Sequence, residues 1–292
     1  MKKDKSKEEI FETTIKTNIE RKSSFIDEVH MKDGIPLFSW IDLNPTELCN
    51  RKCEFCPRVD GSIYPNQNLN ISLKLCQKIN DELRSINYKG GLVLSGYGEP
   101  MMHPDLIEMV RILGNDVKLE IVTNGDKITV DIIKELFVSG LDIMIISMYD
   151  GAHQIDLFKS MFQEANISEE SYILRDRWYT IDEDYGVKLT NRAGVVTVGK
   201  QDEVDRNKPC YYPFYSMMLD WNGDVMLCLQ DWNKKVKMGN IALDSLVDVW
   251  KSKNFEKYRN MLSKSKRSLS PCSNCNTNGT LHGYNHIKEW NK

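Results

Sequence analysis

Apolar and polar positions alternate along the middle of the chain in short blocks that predict strands and helices in turn. Compact apolar runs bounded by Gly, Asn and Pro predict strands at Trp40 to Leu43, Gly91 to Ser95, Lys118 to Thr123 and Asp142 to Ser147. Between them, apolar residues at three- and four-residue spacing predict helices over residues 71–86, 105–113 and 130–138. Ser72 has the residue type and position of a helix N-cap.

This β-α-β-α order is typical of parallel strands joined by right-handed crossovers. We therefore predict an α/β fold, a partial (β/α)6 TIM-like barrel, with its last strands at Tyr172 to Leu174 and Gly194 to Val198. In such folds the carboxyl ends of the strands share one rim, and the active site lies there. The segments expected at this rim are residues 49–56, 96–99, 123–125 and 147–151.

The pattern changes after the polar segment Gln201 to Lys208, which reads as a linker. Met217 to Cys228 predicts two short strands around an Asn-Gly-Asp turn, and Leu246 to Met261 has helical spacing. We therefore divide the chain into a charged N-terminal extension at 1–38, a core at 39–205 and a small Cys-rich C-terminal domain at 206–292.

Composition adds few constraints, but it excludes some classes of protein. The 292 residues are 41% hydrophobic and 28% charged, with a formal net charge of −3, as expected of a folded globular protein that has no nucleic-acid partner. The sequence shows no secretory signal and no apolar stretch long enough to cross a membrane, so we expect a cytoplasmic location. In that compartment the eight cysteines are metal ligands or reactive thiols rather than disulfides.

Three of these thiols, Cys49, Cys53 and Cys56, fall within eight residues at the spacing C-x3-C-x2-C. A loop of this length brings all three sulfurs to one face of a metal centre. A four-iron cluster held by three cysteines keeps one iron open to another ligand, whereas four cysteines would close it. The alternative is a zinc site with its fourth ligand elsewhere in the chain.

The three-cysteine loop after a first strand, Gly96 to Pro100 after a second and Ser147 after a later one resemble the radical S-adenosylmethionine (SAM) superfamily. The resemblance implies that Cys49, Cys53 and Cys56 hold a [4Fe-4S] cluster whose open iron binds SAM. Reduction of that cluster would yield a 5′-deoxyadenosyl radical, a cofactor chemistry that the protein holds and orients.

The resemblance also implies a set of SAM-binding residues. Phe55 would pack against the adenine, Gly96, Gly98 and Glu99 would lie near the amino group, and Ser147 and Asn124 would contact the adenosyl side. Taken singly, these residue types are core or turn formers first. Their joint placement at strand ends is what favours a cofactor site.

Cys210, Cys228, Cys272 and Cys275 form a second set. The spacings C-x12-G-x4-C and C-x2-C resemble the SPASM/twitch extension of radical SAM enzymes, which implies one auxiliary [4Fe-4S] cluster. Four thiolates close that cluster, which suits electron transfer. A structural zinc site held by the same four cysteines has the same spacing and remains open.

Within the superfamily, the chain is similar to SAM-dependent alcohol dehydrogenases that carry a twitch domain. This similarity implies oxidation of a secondary alcohol on a sugar, aminosugar or cyclitol, with an electron passed to the auxiliary cluster and an external donor such as flavodoxin or ferredoxin. Arg192 matches the position that is proposed there to deprotonate the substrate. Because a guanidinium is a poor base, we expect Arg192 to bind the hydroxyl and stabilise its negative charge, or else to form an ordinary salt bridge.

Three other functions remain open. A radical epimerase needs a hydrogen-atom donor such as Cys76, but its position on an amphipathic helix favours a buried structural thiol. Peptide modification is a second alternative, against which we see no added recognition domain, and a zinc-stabilised binding module is the non-enzymatic one. Arg175 and Arg177 are candidates for binding the SAM carboxylate or a substrate anion, or are ordinary ion-pair residues.

Overall fold

The computed structural model describes residues 7–180, 182–183 and 189–292, with side chains from residue 16 onward. Its strands are β1 Met31–Lys32, β2 Ile35–Pro36, β3 Trp40–Leu43, β4 Gly91–Leu94, β5 Lys118–Thr123, β6 Ile143–Met148, β7 Tyr172–Asp176, β8 Ser216–Leu219, β9 Asp224–Met226 and β10 Lys237–Asn240. Its α-helices are α1 Lys7–Ile26, α2 Leu73–Ser85, α3 Leu106–Leu113, α4 Val130–Val138, α5 His153–Glu164, α6 Tyr212–Tyr215, α7 Leu246–Trp250, α8 Lys253–Leu262 and α9 Tyr284–Trp290.

One eight-stranded sheet in the order β10-β9-β8-β3-β4-β5-β6-β7 organises the molecule. Its six strands from β8 to β7 are parallel, which confirms the predicted class of a parallel α/β fold. Helices α2 to α5 follow strands β3 to β6 and cover one face with apolar side chains such as Leu83, Met109, Leu136 and Phe162. The crossovers leave the carboxyl ends of all the parallel strands on the same rim.

The helices begin at residues whose side chains cap them, and these capping residues can be recognised in the sequence. Ser72 begins α2 because its hydroxyl accepts a hydrogen bond from the Leu75 amide, and Thr129 begins α4 in the same way with Ile132. The predicted helix over 246–261 is two helices, since the chain breaks after Trp250 and Ser252 caps α8 through the Phe255 amide.

The predicted strand at Gly194 to Val198 is wrong. Arg192, Ala193 and Gly194 have φ values of 47°, 55° and 93°, and these three consecutive left-handed conformations cannot extend into a ladder. The sixth parallel strand is β8, which lies beyond the predicted domain boundary at residue 206 and pairs with β3. The C-terminal part of the chain thus shares a sheet with the core. The hairpin predicted around Asn222 is confirmed as β8 and β9.

Helix α1 lies on the face of the sheet opposite α2 to α5. Its Arg21 forms an ion pair with Glu120 of β5, and the Lys22 ammonium lies 4.2 Å from the centre of the Trp40 ring. Ile26, at the end of α1, is fully buried with Trp40 and Val93. The face of the sheet opposite α2 to α5 is its concave face. The charged N-terminal segment therefore covers this face near the amino-terminal ends of the strands. Among the described residues, no helix is long and apolar enough to cross a membrane.

Candidate active site

The loop that carries Cys49, Cys53 and Cys56 begins just after β3 and lies on the carboxyl rim of the sheet, as predicted. The Cys56 amide donates to the Cys53 carbonyl at 2.9 Å, and the Cys49 amide donates to Asn66 Oδ1 at 2.9 Å. All three thiols are half-buried. Burial and the two neighbouring thiols raise the pKa of Cys53 to about 12, which places its sulfur close to those of Cys56 and Cys49.

A network of ion pairs that the sequence reasoning missed fixes this loop to the strand ends. Arg51 Nε donates to Asp126 Oδ2 at 2.7 Å, and Arg51 Nη1 donates to Asp150 Oδ1 at 2.9 Å. Asn50 Nδ2 also donates to Asp126 at 2.6 Å. Asp126 and Asp150 each follow the end of a strand, β5 or β6. Their position after a predicted strand is the signal by which they could have been found.

Asn44, at the end of β3, holds the glycine-rich segment against the cysteine loop. Its Oδ1 accepts from the amides of Tyr97 and Gly98 at 3.0 and 3.1 Å. A Cβ on Gly96 would lie 2.9 Å from the Asn44 Cβ, and one on Gly98 would collide with the carbonyls of Thr46 and Leu48. The glycines therefore make room for Asn44 and for the backbone that leads into the cysteine loop, and their place near the amino group of SAM stays a prediction.

Glu99 and Asn124 meet behind that loop. Glu99 is only 4% exposed, and its carboxylate accepts from the amides of Met101 at 3.1 Å and Asn124 at 2.8 Å. Burial raises the pKa of Glu99 to about 7, although these hydrogen bonds oppose the shift. The Asn124 side chain donates to Asn50 Oδ1 at 2.8 Å. Few charged groups lie near this buried carboxylate, so an ammonium group would be a suitable partner for it.

The predicted adenosyl-side residues also come together. The Phe55 ring stacks on Tyr149, with centroids 5.9 Å apart and planes inclined by 26°. Ser147, at 8% exposure, lies on the same strand end and hydrogen-bonds the Tyr149 hydroxyl, and burial raises the pKa of that tyrosine above its ordinary value. Tyr149 is a further residue that the sequence reasoning did not single out. It places a second aromatic ring beside the cysteine loop.

Cys210, Cys228, Cys272 and Cys275 converge from segments that are far apart in the chain. Burial raises the pKa of Cys228 well above its ordinary value, and the nearby thiols of Cys272, Cys275 and Cys210 raise it further. Cys272 and Cys275 are 8% and 9% exposed. Arg267 spans the site by donating to the carbonyls of Lys208 at 3.0 Å and Thr277 at 2.9 Å. The four thiols lie close enough to interact electrostatically, with Cys272 and Cys275 buried and Cys210 and Cys228 half-buried.

The donor chemistry of both sets fits iron-sulfur clusters. Thiolates are the ligands of such clusters, and burying several of them without a cation is costly, as the raised pKa values of Cys53 and Cys228 show. Among the described residues, no three His, Cys, Asp or Glu side chains stand close enough together to hold a single metal ion. A cubane cluster spreads its thiolates around four irons rather than one.

Arg192 lies between the two thiol sets. Its guanidinium lowers the pKa of Cys56, although burial leaves that pKa raised overall, and its Nη1 lies 3.5 Å from Gln230 Oε1. Its neighbour Asn191 donates from Nδ2 to the Asn274 carbonyl at 2.7 Å, beside Cys272 and Cys275. This arrangement brings the predicted catalytic arginine close to the cysteine loop and anchors its backbone to the second set.

An aromatic cluster, which includes Trp232 from the C-terminal part of the chain, packs against Cys56. The rings of Tyr64, Tyr97 and Trp232 meet edge-on or tilted at 4.9 to 6.2 Å, and Val195 packs beside them. The Tyr64 hydroxyl and the Trp232 Nε1 are buried and have no hydrogen-bond partner among the described residues. Unpaired buried polar atoms are costly, so this cluster beside Cys56 is packed at some expense in stability.

One candidate from the sequence has an ordinary packing role, and one lysine that was not predicted has a structural role in the site. Cys76 is fully buried in the main core beside Ile79, as its helical position predicted. Lys234 was not predicted, yet it joins the two halves of the site: it forms ion pairs with Glu47, which precedes the cysteine loop, and with Asp220 at 2.6 Å.

Comparisons with known proteins agree with this geometry. Residues 43–156 match the radical SAM superfamily, and residues 210–276 match the SPASM iron-sulfur cluster-binding domain. The chain is 26% identical over 245 residues to the S-adenosyl-L-methionine-dependent 2-deoxy-scyllo-inosamine dehydrogenase of Niallia circulans, covering 82% of this chain and 93% of that protein. It is 30% identical over 110 residues to a tungsten-containing aldehyde ferredoxin oxidoreductase cofactor-modifying protein of Pyrococcus furiosus, covering 37% and 30% of the two chains.

Solved structures give the same result for the fold. The crystal structure of BtrN in complex with AdoMet and 2-DOIA superposes with a TM-score of 0.70 at 26% identity, covering 86% of this chain and 98% of that one. The structure of anSMEcpe with bound AdoMet superposes with a TM-score of 0.52 at 11% identity, covering 86% and 91%, a likeness of fold alone.

Proposed function

We propose that this chain, a radical SAM enzyme with a SPASM domain, oxidises a secondary alcohol of a sugar, aminosugar or cyclitol to a ketone. The relative that spans most of both chains is a dehydrogenase of the cyclitol 2-deoxy-scyllo-inosamine, and the BtrN structure superposes over almost its whole length. We assign the SAM-binding cluster to Cys49, Cys53 and Cys56, and the auxiliary cluster to the four C-terminal cysteines.

The position of Arg192 between the two thiol sets is the observation that carries this proposal. A substrate hydroxyl bound to Arg192 would lie near Cys56 on one side and near the loop of Cys272 and Cys275 on the other. An alcohol that becomes a ketone loses two electrons and two protons. An enzyme for this reaction therefore needs a group that removes a hydrogen atom and an outlet for the second electron, and this arrangement offers both.

SAM and its cluster, held by Cys49, Cys53 and Cys56, would supply hydrogen-atom abstraction at the carbinol carbon, and the auxiliary cluster, held by the four C-terminal cysteines, would supply an outlet for one electron. Arg192 binds the hydroxyl oxygen, and its positive charge favours release of the hydroxyl proton to water. Gln230, only 7% exposed and within 3.5 Å of Arg192 Nη1, keeps the guanidinium oriented. Glu99 binds the ammonium group of SAM, while Phe55 and Ser147 hold its adenosyl part.

Modification of a peptide remains the alternative reaction class. Epimerisation is less well supported, because the fully buried Cys76 is poorly placed to donate a hydrogen atom to a substrate.

Two further parts of the proposal concern the setting of the reaction. The electron that reduces the SAM-binding cluster comes from a small donor protein such as flavodoxin or ferredoxin, and the enzyme works in the cytoplasm without a nucleic-acid partner. The net charge of −3 supports the last point, because it gives no broad electrostatic attraction to nucleic acid.

The test is anaerobic reconstitution with iron and sulfide, followed by SAM, a reductant and a panel of cyclitols and aminosugars that includes 2-deoxy-scyllo-inosamine. We expect substrate-dependent 5′-deoxyadenosine together with a ketone in equal amounts. Running the reaction in deuterated water separates the rival chemistry, since an epimerase would return an alcohol with solvent deuterium at carbon. No 5′-deoxyadenosine at all, or peptide crosslinking in place of ketone formation, would refute the proposal.

A further inference from the structure

The turn that carries Arg192 has an unfavourable backbone. Arg192 and Ala193 have φ values of 47° and 55°, in the left-handed region that few residues other than glycine and asparagine adopt. The turn closes on Asn191, whose carbonyl accepts from the amides of Gly194 at 2.8 Å and Val196 at 3.0 Å. Two successive residues in such conformations persist only where the surrounding contacts hold them in place.

The asparagines on either side of Cys275 supply such contacts. The Asn191 amide donates to Asn276 Oδ1 at 2.9 Å, and the Asn276 amide donates back to Asn191 Oδ1 at 3.2 Å. Asn191, only 8% exposed, also donates from Nδ2 to the Asn274 carbonyl at 2.7 Å. A Cβ on Gly194 would lie 3.2 Å from Asn274 Cβ, so the two segments pack closely here. We call these three hydrogen bonds the asparagine clamp.

A second loop of the auxiliary set holds the same turn through side chains. Gln230 Oε1 accepts from the Thr190 hydroxyl at 3.1 Å and lies 3.5 Å from Arg192 Nη1. The Gln230 amide in turn donates to the sulfur of Cys228. One loop that holds Arg192 therefore carries Cys228, and the other, which forms the asparagine clamp, carries Cys275.

The positions of these two loops depend on what the four C-terminal cysteines hold. An iron-sulfur cluster fixes its thiolates at bonding distance from iron, and such a site is rarely preformed without the metal. Without a cluster, no bond through iron keeps the loops of Cys228 and Cys275 together. The turn at Arg192 would then lose contacts that maintain its left-handed residues, because both loops supply them.

We propose that Asn191 and Asn276 are positioning residues that couple the auxiliary cluster to Arg192, so that the arginine is placed for substrate only when the C-terminal cysteines hold their cluster. The cluster site then has two tasks: it provides an outlet for one electron, and it assembles the substrate-binding arginine. A substrate would not be placed for hydrogen-atom removal before the electron outlet exists. This inference rests on the proposed function for the role of Arg192.

Hydrogen-deuterium exchange with mass spectrometry measures the state of this turn without turnover. The experiment is done anaerobically on the reconstituted full-length chain, and it compares the peptide of residues 189–198 in the wild type and in Cys210→Ala. Cys210 is a suitable ligand to remove, because its β-bridge is to Gly279 and it has no hydrogen bond to residues 189–198 within the described part of the chain. A change in that peptide therefore arises through the cluster.

The amides of Asn191, Gly194 and Val196 should exchange at least tenfold faster in Cys210→Ala, in a sample whose iron content has fallen by about four atoms per chain. Residues 118–123 of β5 should keep the wild-type exchange rate. Equal exchange of residues 189–198 in the two proteins, despite this loss of iron, would overturn the proposal.

Asn276→Ala breaks the clamp while all seven cysteine ligands stay. Its iron content and the electron paramagnetic resonance spectrum of its reduced clusters should match the wild type, yet residues 189–198 should exchange about tenfold faster. The KM for an alcohol substrate should also rise about tenfold. Asn278→Ala is the matched control and should change none of these quantities, since Asn278 lies on the same loop and accepts from the Thr280 amide at 3.2 Å.

Equal exchange rates in Asn276→Ala and Asn278→Ala would contradict the coupling. If Asn276→Ala failed to fold, the comparison of the wild type with Cys210→Ala would still decide the matter. The two proposals also fail separately. Cluster-dependent protection of residues 189–198 without any ketone would refute the oxidation alone, whereas ketone formation with protection that does not depend on the cluster would refute the coupling alone.

Discussion

The two thiol sets use the same ligand chemistry in opposite surroundings. Cys49, Cys53 and Cys56 come from one loop, are half-buried and lie under a rim of polar strand ends. The C-terminal set is assembled from three separate segments, with Cys272 and Cys275 almost fully buried. A loop with three thiols leaves one position of a four-iron cluster open, whereas four enclosing thiols leave none.

The difference indicates how one chain can separate two tasks. The open set is surrounded by groups that suit a charged cofactor, including the buried Glu99 and the stacked pair of Phe55 and Tyr149. The closed set is surrounded by backbone carbonyls that Arg267 holds. We propose that substrate chemistry belongs to the first environment and electron storage to the second.

Removing one thiol from each set gives the largest expected effect. Cys53→Ala should abolish 5′-deoxyadenosine formation and lower the iron content from about eight to about four atoms per chain. Cys228→Ala should cause the same loss of iron but leave SAM cleavage, while ketone formation disappears. Iron assay and chromatography of both products measure this. If Cys53→Ala cleaved SAM normally, the roles of the two sets would have to be exchanged.

A variant of Arg192 tests the role of the region between the two thiol sets. Arg192→Gln removes the charge that would stabilise the developing oxyanion, so ketone formation should fall by about 10²- to 10³-fold. Uncoupled 5′-deoxyadenosine formation without substrate should stay near the wild-type rate, because no SAM ligand is lost. Arg206→Gln is a suitable control, since Arg206 is an exposed arginine that donates to the Ser273 carbonyl at 2.8 Å near the second set. Equal losses in both variants would contradict a specific role.

Lys234 tests whether the two regions are held together by charge. Lys234→Met would leave Glu47 and Asp220, at 5% and 2% exposure, without their shared cation. We expect a loss of about 3 kcal/mol in the free energy of unfolding, measured by denaturant titration. Lys237→Met removes an exposed lysine paired with Asp224 and should cost under about 1 kcal/mol. Similar losses in the two variants would show that the buried network adds little.

Substitution of Glu99 has the smallest expected effect and tests the surroundings of the open set of Cys49, Cys53 and Cys56. Its pKa is raised to about 7 from an ordinary value of 4.5, so the folded state binds its proton more tightly than the unfolded state does. Stability from this group is present at low pH and is lost as the pH rises through 7. Relative to Glu99→Gln, the wild type should lose about 2 kcal/mol of unfolding free energy between pH 5.5 and 8.

Bound SAM should suppress this pH dependence, because its ammonium group would stabilise the ionised carboxylate. Chemical denaturation with and without SAM measures the difference. A wild type and a Glu99→Gln variant with parallel pH profiles, with or without SAM, would show that Glu99 does not titrate in this range.

Much of the core could be predicted from the sequence because its signals are local. Apolar runs predicted β5 and α4 with the bounds that the structure has, and Ser72 marked the start of α2 through its own hydroxyl. The strand ends then located the cysteine loop and Glu99 on one rim, since parallel strands share a direction.

Other features depend on residues that are distant in sequence. The run from Gly194 to Val198 predicts a strand, but Arg192 and Ala193 adopt left-handed conformations because the segment is bonded to Asn274 and Asn276. The fixing of the cysteine loop by Asp126 and Asp150 also joins residues that are distant in sequence: their position after predicted strands was visible, but their pairing with Arg51 was not.

The sequence by itself determined the chemistry: the thiol spacing, the alternation of strands and helices in the core, and the residues at the strand ends, all of which depend on positions close together in the chain. Only the tertiary structure decided which charges are paired and which are left over. It placed α1 against the concave face, where Arg21 meets Glu120 and Arg175 meets no carboxylate among the described residues. Charge pairing depends on distances across the fold and on burial, and a linear pattern specifies neither.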